Sequence, residues 1–440
     1  MDLLCKSYSN TSDDDDGDGD GDGDDGGRED RKENLSIYEL PSSKRLKSTY
    51  QASKPQIGAP HSQSRAPITG SGRYISKREK ALMASFSTDQ PDSPRNLTPS
   101  PVTGSISSAY LRPDVLLSLR KQANTFVEKK LPNNLSIELR GHVKAVNTVE
   151  WSACQAHLLA SAGMDNCVYI WNVWNGQQKK ARVFTHHSSA VKDVKWSPRG
   201  QFLLSCGYDC SSKLIDIEKG LEAQTFIESQ AVMAIKFHPH NSNLFLSGGS
   251  KGHLKLWDIR AGKVVHEYVR RLGSILDVEF MTNGKQFISS SDESHSNLSE
   301  NSLVVWDVSR EVPLSNQVYV EAYTCPCVRS HPFDPSFVAQ SNGNYIAIFS
   351  TKHPFKLDKY KRYESHGVFG FPIKCSFNLD GEVLASGSSD GAIHFYNVKT
   401  SNLIKKIKLY DQPCVDVVFH PVIPNVLACC SWSGDVSVIE

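Results

Sequence analysis

The side chains of this 440-residue chain that could do chemistry fall into three sets. His142, Ser161 and Asp165 supply the base, hydroxyl and carboxylate of a hydrolytic triad. Asp18, Asp20, Asp22, Gly23 and Glu29 fit the D-x-D-x-D-G-x5-E spacing of a calcium-binding loop. Eleven cysteines could cross-link the chain or hold zinc. Context argues against each reading. Parts of the trio recur, as His187, Ser205 and Asp209 and again as Ser386 and Asp390. An active site is normally singular, so a recurring trio describes scaffolding. The calcium loop places Asp25 at its eighth position, normally apolar, and no amphipathic helix precedes Asp18. No C-x-x-C occurs, Cys325-Pro326-Cys327 has the wrong spacing for a zinc knuckle, and Cys206 with Cys210 lacks a second pair. Cys154, Cys167, Cys206, Cys375, Cys429 and Cys430 lie in or beside apolar runs, as reduced thiols packed like small hydrophobes do. There is no phosphate-cradling glycine loop, H-E-x-x-H or G-x-S-x-G. The chain reads as a non-enzyme that takes no cofactor, metal or small-molecule substrate.

The segments carrying these residues differ sharply in charge. The net of +1 is a sum of unlike parts. Residues 1–30 hold twelve acids against two bases, a net of −10, and residues 31–110 hold twelve bases against five acids, a net of +7. Residues 131–440 hold 30 bases and 29 acids. From Asp13 to Asp25, nine Asp alternate with four Gly, a stretch with nothing to bury. Residues 1–110 are therefore expected to be disordered, an acidic tract followed by a basic Ser/Pro-rich arm. Within the arm, Lys44, Arg45 and Lys47 form a nuclear-import candidate, with Lys77-Arg78-Glu79-Lys80 weaker. Ser93, Thr98 and Ser100 each precede proline and suit proline-directed kinases, whose phosphates would subtract charge from the arm. Both features suit a nuclear tail, with some residence in the cytoplasm compatible. The opening residues MDLLCKSYSN lack the apolar core of a signal peptide, and no apolar run is long enough for a membrane span. Residues 111–132 read as an amphipathic helix and linker. Val115, Leu116, Leu119, Ala123, Phe126 and Val127 recur at helical spacing after Pro113, a pattern expected to dock on the following domain or in a partner groove.

Residues 133–440 are periodic. One marker, a bulky residue ending an apolar strand, occurs as Trp171, Ile215, Trp257, Trp306, Phe349, Tyr396 and Ile439, at spacings of 44, 42, 49, 43, 47 and 43. A second, earlier in each unit, occurs as Trp151, Trp196, Phe237, Phe280, Ser330, Phe377 and Phe419. Two markers in one register through seven copies define seven repeats. Each copy holds several short strand signals separated by turns, and His238-Pro239, His331-Pro332 and His420-Pro421 mark one turn in three copies. The last repeat stops one strand short, which would leave a sticky sheet edge. Leu135 to Leu139 alternates like a strand ahead of the first repeat and is expected to supply the missing one.

Periods near 40–45 with these markers resemble the WD-repeat β-propellers, in which each unit is one four-stranded blade. The expected fold is all-β, a seven-bladed propeller behind a low-complexity front end with one short helix. By that resemblance, His142, Ser161, Asp165 and Trp171 match the hydrogen-bonded set that fixes a blade internally. The fifth repeat departs most, with Phe349 for Trp and Gly343 for Asp. The stretches Lys255–Lys263, Ser341–Ser350 and Cys429–Asp435 resemble the WD repeat-containing protein 25 family, itself similar to the splicing protein pre-mRNA-processing factor 17. The resemblance implies a monomeric nuclear propeller whose partners are proteins of a spliceosomal assembly. Trp257, Asp258 and Arg260 resemble the W-D-x-R box of cullin-4 ligase receptors, an alternative role, although Lys251 replaces the Asp expected upstream. Two segments break the repeat. Ser291 to Asn301 is a polar, acidic insertion. Lys352 to Tyr363 interleaves bases with rings, and Lys356, Lys359, Tyr360, Lys361 and Arg362 form a patch suited to RNA or a protein partner. A solvated outer strand with charged edge protection accounts for the same residues.

Overall fold

A computed structural model describes residues 104–120, 131–270, 272–292, 303–315 and 323–440. The acidic tract, Lys44, Arg45, Lys47, Ser93, Thr98, Ser100 and the second half of the expected helix lie outside the described residues. So does the insertion beyond Asp292, up to residue 302.

The described chain folds into seven four-stranded antiparallel sheets. Strand β1 is Leu135–Leu139. Strands β2–β5 (146–184), β6–β9 (191–227), β10–β13 (232–268), β14–β17 (274–315), β18–β21 (327–363) and β22–β25 (375–408) each form one blade in chain order. The seventh blade joins β26 (Cys414–Phe419), β27 (Leu427–Ser431) and β28 (Val436–Ile439) to β1, in the order β1-β28-β27-β26. The expected closure is present: Leu135 pairs with Ile439, Ile137 with Val438 and Leu139 with Val436.

Residue patterns follow position in the blade. The second strand of each blade is covered on both faces by its neighbours, so β3 (Leu158–Gly163) is buried throughout and its sequence LLASAG does not alternate. The outer strands are less covered, and in β25 (Leu403–Lys408), which reads LIKKIK, Lys406 and Lys408 lie in water, whereas β5 (Lys180–Phe184) sits beside the segment from Gly104 and has no exposed residue. Consecutive innermost strands pack on one another from β2 through β6, β10, β14, β18 and β22 to β26, and β26 packs back on β2. That contact closes the ring.

There is no single core. Each of the seven interfaces between consecutive blades has its own apolar cluster. Tight approach between blades is set in part by glycine. A Cβ on Gly387 of the sixth blade would lie 2.2 Å from the Cys414 carbonyl oxygen of the seventh.

The helix expected from Pro113 is present as α1 (Pro113–Arg120). Val115 is buried, and Leu116 and Leu119 pack beside it on the cluster shared by the seventh and first blades. The described helix docks on the propeller. The expected break at residue 110 falls within an anchored segment. Arg182 donates to the Gly104 carbonyl at 2.8 Å, Asn172 Nδ2 donates to those of Ser105 and Ser107, and His157 Nε2 donates to that of Ile106 at 2.9 Å. These carbonyl contacts need no particular side chain on the strap, so composition could not reveal them.

Candidate functional site

The His–Ser–Asp trio is assembled in the first blade, with triad-like distances. His142 Nδ1 lies 3.0 Å from each Asp165 oxygen, and its Nε2 lies 2.8 Å from Ser161 Oγ. Trp171 Nε1 donates to that same hydroxyl at 2.8 Å. One proton arrangement satisfies every group: Trp171 donates to Ser161, Ser161 donates to His142 Nε2, and His142 Nδ1 donates to Asp165. Burial pushes the Asp165 carboxyl up, but bonds from His142 and the amides of Val143 and Cys167 outweigh it and leave it lowered. A nucleophile must reach substrate, and Ser161 is fully buried beneath Trp171. The arrangement ties a loop to two strands.

The variation among copies supports that structural role. His187, Ser205 and Asp209 repeat the set in the second blade, both histidine contacts being 2.8 Å, although Ile215 stands in the Trp position. The third blade keeps Trp257 on Ser247 at 3.0 Å and replaces histidine with Glu228, which accepts from Ser247 at 2.6 Å. In the fourth, Trp306 donates to Ser289 at 2.8 Å. In the sixth, Tyr396 has taken the Trp place and its hydroxyl lies 2.8 Å from His366 Nδ1.

The three His-Pro turns are interblade ties. His238 Nε2 donates to the Gly284 carbonyl, His331 Nε2 to that of Gly381 and His420 Nε2 to that of Ala156, at 2.9, 2.9 and 2.8 Å. Each Nδ1 accepts two amides of its own turn, as His420 does from Val422 and Ile423. The sequence marked these turns but not the carbonyl across the interface.

The inner strands carry a charge network that the sequence reading missed. Lys195 lies 2.8 Å from Asp193, Lys374 lies 3.5 Å from Asp416, Arg329 lies 2.6 Å from Asp277, and Lys236 lies 2.7 Å from Glu279. Three of the acids also accept an amide of the next blade: Asp416 from Val149, Asp193 from Ile235 and Asp277 from Val328. Burial would raise the Asp193 carboxyl, but Lys195 and Lys374 hold it well below its usual range. Glu150, where burial dominates, is pushed up to about 6. The acid-x-base or acid-x-acid spacing of Asp193 with Lys195 and Asp277 with Glu279 was the available signal, but it reads as ordinary strand alternation.

The basic segment is the fifth blade's own outer strand, β21 (Leu357–Tyr363). Lys356, Lys359, Tyr360, Lys361 and Arg362 are all exposed. They do not form a uniform patch, because Arg362 is held by Glu364 at 2.5 Å and covers the Tyr345 ring. In the W-D-x-R segment, Trp257 is buried and Arg260 turns back onto Asp258, Nη2 donating to Oδ2 at 3.0 Å. Nothing in this geometry supports the ligase-receptor alternative. Seven of the described cysteines are buried, none of them in a disulfide. Among the described residues, no group of three His, Cys, Asp or Glu could hold a metal ion, and no helix is long and apolar enough to cross a membrane.

Seven closed four-stranded blades with a recurring His–Ser–Asp–Trp set define the WD-repeat β-propellers, and the chain belongs to that family. The profile WD40 (WD domain, G-beta repeat) matches residues 133–172, 178–216, 221–258 and 359–397. Each matched unit takes in an outer strand and the three inner strands after it, so sequence repeats are offset from blades. The chain is 34% identical over 375 residues to WD repeat-containing protein 25 of Mus musculus, covering 83% of this chain and 69% of that one. It is 32% identical over 296 residues to pre-mRNA-processing factor 17 of Homo sapiens, covering 67% of this chain and half of that protein's length. The factor of the same name in Saccharomyces cerevisiae is 27% identical over 338 residues, covering 75% of this chain and 72% of that one.

Proposed function

We propose that the protein is a non-enzymatic scaffold of a nuclear assembly that serves pre-mRNA splicing. The observation that carries this reading is the 32% identity to human pre-mRNA-processing factor 17 over 296 residues. A match of 296 residues is more than twice the 132 that precede the propeller, so more than half of it falls in the part that presents surfaces to partners. The buried trios are consistent with the same reading, since their polar groups are consumed in holding loops. Fold alone does not carry function, so the reading rests on relatives and must be tested on partners. Lys44, Arg45 and Lys47 supply nuclear import in this scheme, and phosphates on Ser93, Thr98 and Ser100 lower the arm's positive charge.

The test is purification of tagged full-length protein from nuclear extract, with mass spectrometry of the co-purifying proteins. Spliceosomal proteins and small nuclear RNAs are expected in the eluate. Confinement of the protein to the cytoplasm, or an eluate without splicing components, defeats the proposal.

A further inference from the structure

Strand β21 is interrupted where it should run straight. Against β20 (Tyr345–Ser350) it pairs Ile346 with Tyr363 and Ala347 with Arg362, and next pairs Phe349 with Leu357. One residue of β20, Ile348, therefore stands opposite the four residues 358–361. The surplus is thrown outward and closed by Asp358, whose Oδ1 accepts the amides of Tyr360 at 2.9 Å and Lys361 at 3.2 Å. Tyr360 is 98% exposed, between exposed Lys359 and Lys361.

The sixth blade extends this edge. Lys361 Nζ donates to the Lys399 carbonyl at 3.2 Å, and a groove of about 310 Å³ bordered by Asp358, Lys361, Tyr363 and Lys399 separates the blades. Beyond it, β25 adds exposed Lys406, paired with Asp390 at 2.7 Å, and exposed Lys408, which donates to the Asp390 carbonyl, beside Leu403 and Ile404, which are 42% and 48% exposed. Among the other described outer strands, β1, β9 (Leu221–Ile227) and β17 (Pro313–Ser315) carry no Lys or Arg, β13 (Lys263–Tyr268) carries Lys263 alone, and the Lys180 and Arg182 of β5 (Lys180–Phe184) are not exposed, so the exposed positive stripe belongs to blades five and six.

Lysines and a bulge are common protection for a sheet edge, and they would explain the charge. They do not explain an aromatic ring held almost wholly in water between two of those lysines. A ring there gains what it lacks when a flat partner stacks on it, and lysines beside it suit a partner carrying regularly spaced negative charge. We propose that the edge of blades five and six binds a single-stranded polynucleotide. Tyr360 stacks on an unpaired base, and Lys356, Lys359 and Lys361 contact phosphates. Arg362 is a positioning residue through its ion pair with Glu364 and its place over Tyr345. A duplex keeps its bases stacked on each other and cannot use the ring, and an acidic peptide needs only the lysines.

Full-length protein is titrated against fluorescent oligouridine RNA of about 15 nucleotides at several salt concentrations. Tyr360→Ala is expected to weaken binding about 5- to 100-fold with no change in salt slope, and Tyr360→Phe to retain it. The double variant Lys359→Ala/Lys361→Ala is expected to reduce the slope of log K against log salt by about 1.4. Unlabelled single strand should displace the probe, whereas a blunt duplex or polyglutamate should not. All three side chains are exposed, so the variants should fold, and circular dichroism verifies this. Absence of binding by the natural protein, indifference to Tyr360→Ala, or equal displacement by polyglutamate each overturns the proposal. It does not depend on the splicing assignment: RNA bound in vitro by a protein absent from splicing assemblies would uphold this edge and defeat that role.

Discussion

Asn134 and Glu440 exchange backbone hydrogen bonds in both directions, each amide donating to the other's carbonyl at 3.1 Å. The Asn133 amide adds a third bond to the Glu440 carbonyl, and Trp174 Nε1 donates to Glu440 Oε1 at 2.8 Å. These bonds clip the described propeller into a ring, and Leu139, buried on β1, seals the clip with apolar contact.

Leu139→Ala should cost about 2–4 kcal/mol, read as a lower urea midpoint at unchanged slope. Deleting residues 133–139 should do more, because β28 then presents an unpaired edge and the protein should self-associate on light scattering. A deletion variant that remains monomeric with an unchanged midpoint would show that closure contributes little.

Ser161→Ala strands the buried Trp171 indole N–H and removes the donor to His142. A loss of about 2 kcal/mol in chemical denaturation is expected. Because one network is involved, adding His142→Ala should cost clearly less than the sum of the two single changes. Additive losses would mean that the trio does not act as a unit.

Acid should loosen the interblade ties. Burial lowers His420 from 6.5 to about 4, the bond to the Ala156 carbonyl opposing it only in part. Protonation also ends acceptance of the Val422 and Ile423 amides. The unfolded chain takes up this proton first, so the contribution is full above about pH 6.5 and is lost as pH falls toward 4. His366 and His394, lowered by burial to about 3 and 4, act in the same direction. Urea midpoints measured between about pH 7 and pH 5 should fall, and His420→Ala should be less stable at neutral pH but flatter across the range.

Arg329→Ala removes the 2.6 Å partner of Asp277 and leaves a negative charge in a mostly buried position. The expected loss is about 3 kcal/mol, with Arg329→Lys recovering part of it. Thermal unfolding checks both. A neutral Arg329→Ala would mean that Asp277 is sufficiently stabilised by the Val278 and Val328 amides.

Much of the ring was legible because each blade is built from short, local, repeated patterns. The buried second strand, apolar and small residues around a serine, and the bulky end of the third recur from blade to blade, so Phe349 and Tyr396 hold the place where other blades have Trp. The missing strand at the end and the spare one at Leu135 came from counting. Less visible was the anchored strap from Gly104, because its ties run from carbonyls that every residue possesses. The basic edge was half visible. Its residues on β21 stood out by composition, whereas the bulge displaying Tyr360 depends on register with β20, and the exposed lysines of β25, Lys406 and Lys408, are 45 and 47 residues beyond Lys361.

By itself, the sequence determined how many blades there are, where each begins and which segment closes the ring. Those properties are periodic, and period is written in the order of residues. Only the tertiary structure decided which charges meet. Thr148 and Asp416 lie 268 residues apart yet are 3.0 Å from one another, because curvature brings the first and last inner strands side by side. The same curvature sets Lys361 against the Lys399 carbonyl and turns two separate basic strands into one edge. Pairing of this kind depends on where strands sit around an axis, and no local pattern of residue types encodes that position.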